Sequence, residues 1–235
     1  MTETFAALLL AHALADFVFQ TRRIALNKHR LPVLLLHGAV VLALAQGALG
    51  RVDAWEVLAL ALAHVVVDGL KARLAPPGLG AFLADQAAHL AMLGALAFWR
   101  PDLWAGGAWA GFGWLPALLA LVAGAILVTR AGGFAVGFLM AGLSAGAPPE
   151  GLPRGGLTIG LLERGLIYVL MLAGQPEVIG FLIAAKSILR FGAVNAADPA
   201  GNRAASEYII IGTLASFGWA ILVALGVQAL VAALP

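Results

Sequence analysis

Apolar runs of near-constant length, each ended by charge, proline or glycine, follow one another along the whole chain. Runs of roughly 20 residues match a helix that crosses a bilayer. They predict helices over residues 4–20, 32–49, 55–74, 83–98, 114–130, 158–173, 177–191 and 206–233. Some are shorter than a full crossing, which implies tilt or local thinning of the bilayer. Residues 131–157 break the pattern. Gly132, Gly133, Gly137 and Gly142 interrupt a modestly apolar run, and Pro148, Pro149 and Pro153 end it, so a re-entrant or interfacial segment is expected there. The predicted fold is all-α: a polytopic integral membrane helical bundle of about eight transmembrane helices plus that one segment. The first run has no basic stretch before it and holds His12 and Asp16, unlike a signal peptide, so it is expected to stay in the mature protein.

Composition narrows the class. The 235 residues are 62% hydrophobic and 11% charged, with a mean hydropathy of +0.97, whereas a soluble domain carries about a quarter charged residues. A water-facing surface is excluded, and no length remains for a separate soluble domain. The formal charge of +2 gives no reason to expect a nucleic-acid partner, and the absence of cysteine excludes disulfides, thiolate metal sites and cysteine nucleophiles.

The cations serve instead as markers of orientation. Arg22, Arg23, Lys28 and Arg30 follow the first span and Lys71 and Arg73 the third, while the second and fourth connections carry only Arg51 and Arg100, each beside acids. The positive-inside rule then places the N-terminus outside and Arg130 at the cytoplasmic end of the fifth span. Keeping 131–157 on that side returns Lys186, Arg190 and Arg203 to the cytoplasm. Trp99, Trp104, Trp109 and Trp114 read as an interfacial aromatic belt. They separate an N-terminal four-helix half, 1–98, from a C-terminal half, 99–235.

Polar residues survive inside the spans in a definite pattern. His12, His37, His64 and His89 fall within the first four runs, and three of them have an acid one helical turn away: His12 with Asp16, His64 with Asp68, and Asp85 with His89. Residues at i and i+4 share a helix face. Gln20 extends the first such face and Lys71 the third. At 1.5 Å per residue these groups lie roughly 8–12 Å from the cytoplasmic helix ends, so four helices deliver polar groups to one depth. A carboxylate near the bilayer centre costs about 2.5–3.5 kcal/mol, and three cost on the order of 8 kcal/mol. Interhelical hydrogen bonds at about 1 kcal/mol each do not offset that, whereas a bound cation, shared protons or a water-filled cavity would.

Imidazoles and carboxylates without thiols suit a divalent metal, Zn, Mn or Fe, with an open water position. The expected ligands are His12, His37, His64, Asp68 and His89, with Asp16 and Asp85 in catalytic roles. Haem ligation by facing histidines is disfavoured by the neighbouring acids. The C-terminal half carries a second set: Glu163, Arg164, Lys186, Ser187, Arg190, Glu207, Tyr208, Thr213 and Ser216. Its plain reading is an ion-pair network of Glu163 or Glu207 with Lys186 or Arg190. Its sharper one has Lys186 and Arg190 neutralising an anionic lipid headgroup or phosphate.

The run Ala-Asp-Phe-Val-Phe-Gln-Thr at 15–21, Asn27-Lys28, Leu36-His37-Gly38, His64 to Asp68 followed by Lys71, and Asp85-Gln86 with His89 resembles a bacterial membrane-protein family, the domain of unknown function 3307. The later stretches Leu162-Glu163-Arg164, Ala185-Lys186-Ser187 with Arg190-Phe191, and Glu207-Tyr208 through Gly212-Thr213 to Ser216 resemble the C-terminal part of its longer members. The resemblance implies a multi-pass protein of the bacterial inner membrane and carries no activity with it. The His/Asp helices are also loosely similar to a family of inner-membrane metal-dependent hydrolases. The expected function is accordingly an integral-membrane metal-dependent hydrolase acting near the cytoplasmic leaflet on a phosphoester or other lipid-linked substrate. The alternative is a proton- or cation-coupled transporter or channel using the same Asp/His layer.

Overall fold

The computed structural model describes residues 1–143, 154–191 and 199–235, with the side chains of 188–191 and 199–205 outside the description. Pro148, Pro149 and Pro153, and the side chains of Arg190 and Arg203, therefore lie outside the described residues. The described residues are helix, turn, bend or irregular backbone, with no strand among them. Among the described residues, six helical stretches are long and apolar enough to cross a membrane: Thr2–Phe19, Leu31–Leu49, Leu79–Trp99, Leu115–Leu143, Gly155–Leu172 and Ser206–Ala232. Two expected spans fall short of that description. The helix Trp55–Leu74 carries Glu56, Asp68, Lys71 and Arg73, and Glu177–Phe191 has 15 residues, about 22 Å of helix against a hydrocarbon core of about 30 Å.

The chain forms two compact units, residues 1–127 with 227–235, and residues 128–226. In the first, α1 (Thr2–Leu14) continues into a π-helical turn, Ala15–Phe19, and is followed by α2 (Arg22–Asn27), α3 (Leu31–Leu49), α4 (Trp55–Leu74), α5 (Leu79–Trp99) and α6 (Leu115–Ile126). Helix α1 is the axis of this unit and packs against α3, α5 and α6, while α3 packs on α4 and α4 on α5. Its sequence explains the position. Ala6, Ala7, Ala11 and Ala13 are buried and small enough for neighbouring helices to approach closely, and Leu8, Leu9 and Leu10 fill the core with Val57, Leu60, Leu93 and Leu96.

The connection 100–114 closes one end of this unit. Gly50, in the left-handed conformation at φ +66°, ends α3, and its carbonyl accepts from the Ala108 N–H at 3.0 Å. Trp104 is 1% exposed and its N–H donates to Thr4 Oγ1 at 3.2 Å. It is a core residue and not part of the expected aromatic belt, because the connection folds inward over α1. Trp99, Trp109 and Trp114 are exposed, as a belt requires. Arg100 pairs with buried Glu56. On the surface, Arg51 holds the Asp53 carboxyl, and Arg100 the Asp102 carboxyl, below the usual carboxylate range through hydrogen bonds.

The second unit contains α7 (Gly132–Leu143), α8 (Gly155–Leu172), α9 (Glu177–Phe191) and most of α10 (Pro199–Ala232). The fifth span does not end at Arg130: a π-helical turn, Leu127–Ala131, carries the helix on to Leu143. Of the glycines expected to break this run, Gly132 and Gly133 lie against large side chains, while Gly137 and Gly142 have nothing within 4 Å of a would-be Cβ. A Cβ on Gly132 would lie 2.6 Å from Trp219 Cδ1 and 3.0 Å from Arg164 Cδ, so glycine there admits two large side chains. Arg164 is buried and donates to the Val128 carbonyl at 3.0 Å, the Thr129 carbonyl at 2.9 Å and Ser216 Oγ at 3.1 Å. Both carbonyls belong to the π turn, where the change of helical repeat leaves backbone acceptors to be satisfied.

A glycine at close quarters tests the packing of the first unit. A Cβ on Gly107 would collide with the Leu49 carbonyl, whereas one on Gly111 meets nothing within 4 Å. Gly107→Ala should lower stability by roughly 1–3 kcal/mol, as overpacking does, and Gly111→Ala should leave it nearly unchanged. Thermal unfolding in detergent measures both.

Candidate metal centre

The site sits where the polar ends of four helices of the first unit converge. The π turn at Ala15–Phe19 positions Asp16, its second residue, and Gln20 then leaves the helix in an extended conformation. Thr21 caps α2 by accepting from the Ile24 N–H at 3.3 Å. This short helix folds the chain back on itself, and Lys28 arrives at Asp68 near the end of α4. His37 lies in the second turn of α3, His64 and Asp68 in the second half of α4, and Asp85 and His89 in the first half of α5.

Four of these side chains form a cage. His37 Nε2 lies 3.1 Å from Asp16 Oδ1, 3.2 Å from His64 Nε2 and 3.3 Å from Asp68 Oδ2. His64 Nε2 lies 3.4 Å from Asp16 Oδ1 and 3.3 Å from Asp68 Oδ2. Tetrahedral bonds of about 2.0–2.2 Å to nitrogen and oxygen place ligand atoms roughly 3.3–3.5 Å apart, close to the spacing of these five edges. Protons alone satisfy it poorly. Each Nε2 carries at most one hydrogen, yet each faces the other nitrogen and two carboxylate oxygens. All four residues are at most 6% exposed.

Around the cage lies a second group of polar residues. Lys28 Nζ donates to Asp68 Oδ2 at 2.7 Å, and Lys71 Nζ to Asp85 Oδ2 at 2.6 Å. Gln86 donates its amide N–H to Asp85 Oδ2 at 3.1 Å and presents its carbonyl to His12 Nε2 at 3.2 Å. Because that carbonyl only accepts, His12 carries a proton on Nε2, and in the neutral ring Nδ1 bears the lone pair. His89 is settled the same way: Nδ1 faces the Asp85 carbonyl at 2.8 Å and donates to it, which leaves the lone pair on Nε2. His12 and His89 stack with centroids 5.1 Å apart, and His89 lies 4.0 Å from His64. His12, His64 and His89 line a cavity of about 10 Å³ whose other walls are apolar, among them Leu8, Val41 and Leu60. That is space for about one water. His12 Nδ1, His37 Nδ1, Asp85 Oδ1, His89 Nε2 and Gln20 Oε1 are buried without a hydrogen-bond partner among the described residues.

The seven residues singled out in the first four runs therefore meet. Three overlapping trios, His12 with Asp16 and His64, His37 with His64 and Asp68, and Asp16 with Asp85 and His89, each bring ligand atoms within 4.8 Å of one another. Asp16 belongs to the tight cage, while His12 and His89 stand just outside it. Lys28 is the residue that sequence reasoning missed. It counted as a loop cation, but it is 9% exposed and paired with Asp68. Its place in the Asn27-Lys28 motif was the available signal. In the second unit, Lys186 donates to Glu163 Oε2 at 2.7 Å and lies 5.4 Å from the Phe217 ring centroid, which is the ion-pair arrangement. Arg190 lies in α9, with its side chain outside the described residues.

Residues 4–105, which contain every member of the cage and its surroundings, match the family model described as Protein of unknown function (DUF3307). The matched stretch does not include the later motifs in α8, α9 and α10. No curated protein and no solved structure matches the chain.

The Lys28–Asp68 pair gives a chemical test. Lys28 should react with a water-soluble amine acylating reagent at least ten-fold more slowly than Lys71, whose side chain is 37% exposed. Asp68→Asn should raise the Lys28 rate selectively, read by mass spectrometry of the labelled peptides.

Proposed function

We propose that this protein is an integral-membrane metal-dependent hydrolase. Asp16, His37, His64 and Asp68 would hold one divalent cation, Zn, Mn or Fe. The observation that carries this reading is the cage of two imidazole nitrogens and two carboxylate oxygens, 3.1–3.4 Å apart along each measured edge. In this reading α4 and α9 also cross the bilayer, giving eight crossings, with the N-terminus outside and the cage near the cytoplasmic leaflet of the bacterial inner membrane.

When bound, such a cation supplies a Lewis acid and lowers the pKa of an attached water toward neutrality. The chain's own groups do the rest. Lys28 holds Asp68 in place and offsets part of its charge. His89, its proton kept on Nδ1 by the Asp85 carbonyl, offers a basic Nε2 at the cavity and takes the proton from an attacking water. Asp85 orients Lys71 at the more exposed edge, where a phosphoester or other lipid-linked substrate with an anionic headgroup would be received. Lys186, engaged with Glu163, and Arg190 would bind an anionic headgroup within the second unit.

One observation favours the alternative, a proton- or cation-coupled transporter: the imidazoles of His12, His89, His64 and His37 adjoin one another with centroids 4.0–5.2 Å apart along the series, a route along which protons could pass. Pumping or leak of protons or metal ions in proteoliposomes, abolished by His64→Ala, would favour transport over hydrolysis.

For the hydrolase, elemental analysis of purified protein should find at least one divalent ion per chain, with the content reduced at least ten-fold in His64→Ala and Asp68→Ala. Phosphoesterase activity on lipid-linked substrates should vanish on chelation and return with Zn or Mn. Metal-free protein with full activity would overturn the reading.

A further inference from the structure

Asp16 has two carboxylate oxygens, and the cage uses one. Oδ1 faces His37 and His64, while Oδ2 lies 3.9 Å from His12 Nδ1. With a neutral imidazole no proton stands between those two atoms. Gln86 fixes the His12 proton on Nε2, since its amide N–H is committed to Asp85 and only its carbonyl remains for the ring. A lone pair therefore faces a carboxylate oxygen in a site where both residues are at most 6% exposed. Two acceptors opposed in an apolar interior repel each other and leave the nitrogen unsatisfied. A cation between them reverses the sign of the interaction.

A third acceptor lies close by. Asp85 Oδ1 is buried without a hydrogen-bond partner among the described residues, as is His12 Nδ1, and Asp85 brings a ligand atom within 4.8 Å of one of Asp16. Lys71 and Gln86 both bind Asp85 through Oδ2, so they hold the carboxylate while Oδ1 has only His89 Nδ1 nearby, at 3.7 Å and beyond hydrogen-bond distance. Helix α1, with its π turn, and α5 thus supply a second group of acceptors next to the cage.

We propose that this is a second divalent-cation site, formed by His12 Nδ1, Asp16 Oδ2 and Asp85 Oδ1, and that Asp16 bridges it to the cage to give a two-metal centre. The inference rests on the metal-binding reading of the cage above and adds what that reading does not contain. It also narrows the substrate class. With neutral imidazoles, Asp16, Asp68 and Asp85 against Lys28 and Lys71 leave a local charge of −1. One divalent cation makes that +1, and two make it +3, which suits a phosphate ester bearing two negative charges and an attacking hydroxide. Paired metals about 3.5–4 Å apart are the arrangement that stabilises both the entering and the leaving oxygen of such an ester.

Manganese(II) alone serves as the probe, titrated into the full-length protein in detergent after chelator treatment and followed by electron paramagnetic resonance with parallel counting of bound ions. The expected result is two ions per chain with the broadened, exchange-coupled spectrum of a bridged pair. His12→Phe and Asp85→Asn should each bind one ion with the six-line spectrum of isolated manganese. One ion per chain in the unaltered protein, uncoupled and unaffected by those two substitutions, would overturn the second site and leave the cage standing. No bound ion at all would overturn both. Two ions with no coupling in the unaltered protein would overturn the bridging role of Asp16.

Discussion

A carboxylate held inside an apolar helical bundle has to be neutralised by what its neighbours bring, and in the first unit this constraint organises everything around Asp16 and Asp68. Two helices would suffice to bury an apolar core. Here α1, α3, α4 and α5 converge at their polar ends, and even α2 folds back to deliver Lys28 to Asp68. The small residues of α1 let α3, α5 and α6 close around it, and Gly38, where a Cβ would collide with Val65 Cγ2, lets α3 and α4 approach at the level where His37 and His64 stand 3.2 Å apart. Packing and chemistry are therefore one arrangement, since a looser bundle would leave the same residues too far apart to share a cation.

The pairs one helical turn apart, His64 with Asp68 and Asp85 with His89, were readable in the sequence because α-helical spacing is regular, and the structure keeps each pair together at 3.3 and 3.7 Å. What spacing could not reveal is which atoms face inward. Asp16 stands in a π turn, where the repeat lengthens and the side chain is turned toward His37 and His64. That local change of geometry leaves no pattern of polar and apolar residues. Lys28 was hidden for a different reason: a cation in a short connection looks like a topology marker until the connection is seen to fold back. Trp104 escaped in the same way, as a tryptophan in a loop that turns inward.

The two π turns share a physical logic. Each lengthens the repeat by one residue within a run that would otherwise be regular, and each has a polar group close by. At Ala15–Phe19 the consequence is a re-aimed carboxylate. At Leu127–Ala131 it is a pair of carbonyls satisfied by Arg164, a charged residue that would be costly in an apolar interior without several acceptors. The fifth run was expected to end at Arg130 because glycines follow it. Gly132 and Gly133 instead make room for Arg164, and Gly132 for Trp219 as well, and the helix continues.

The central claim is that Asp16, His37, His64 and Asp68 enclose a metal ion. X-ray absorption at the zinc edge, on protein loaded with one equivalent of zinc, addresses it most directly. Two nitrogen and two oxygen neighbours at about 2.0–2.2 Å, with the imidazole multiple-scattering pattern, are predicted. A six-oxygen shell without imidazole scattering, or zinc that washes away with buffer, would contradict it.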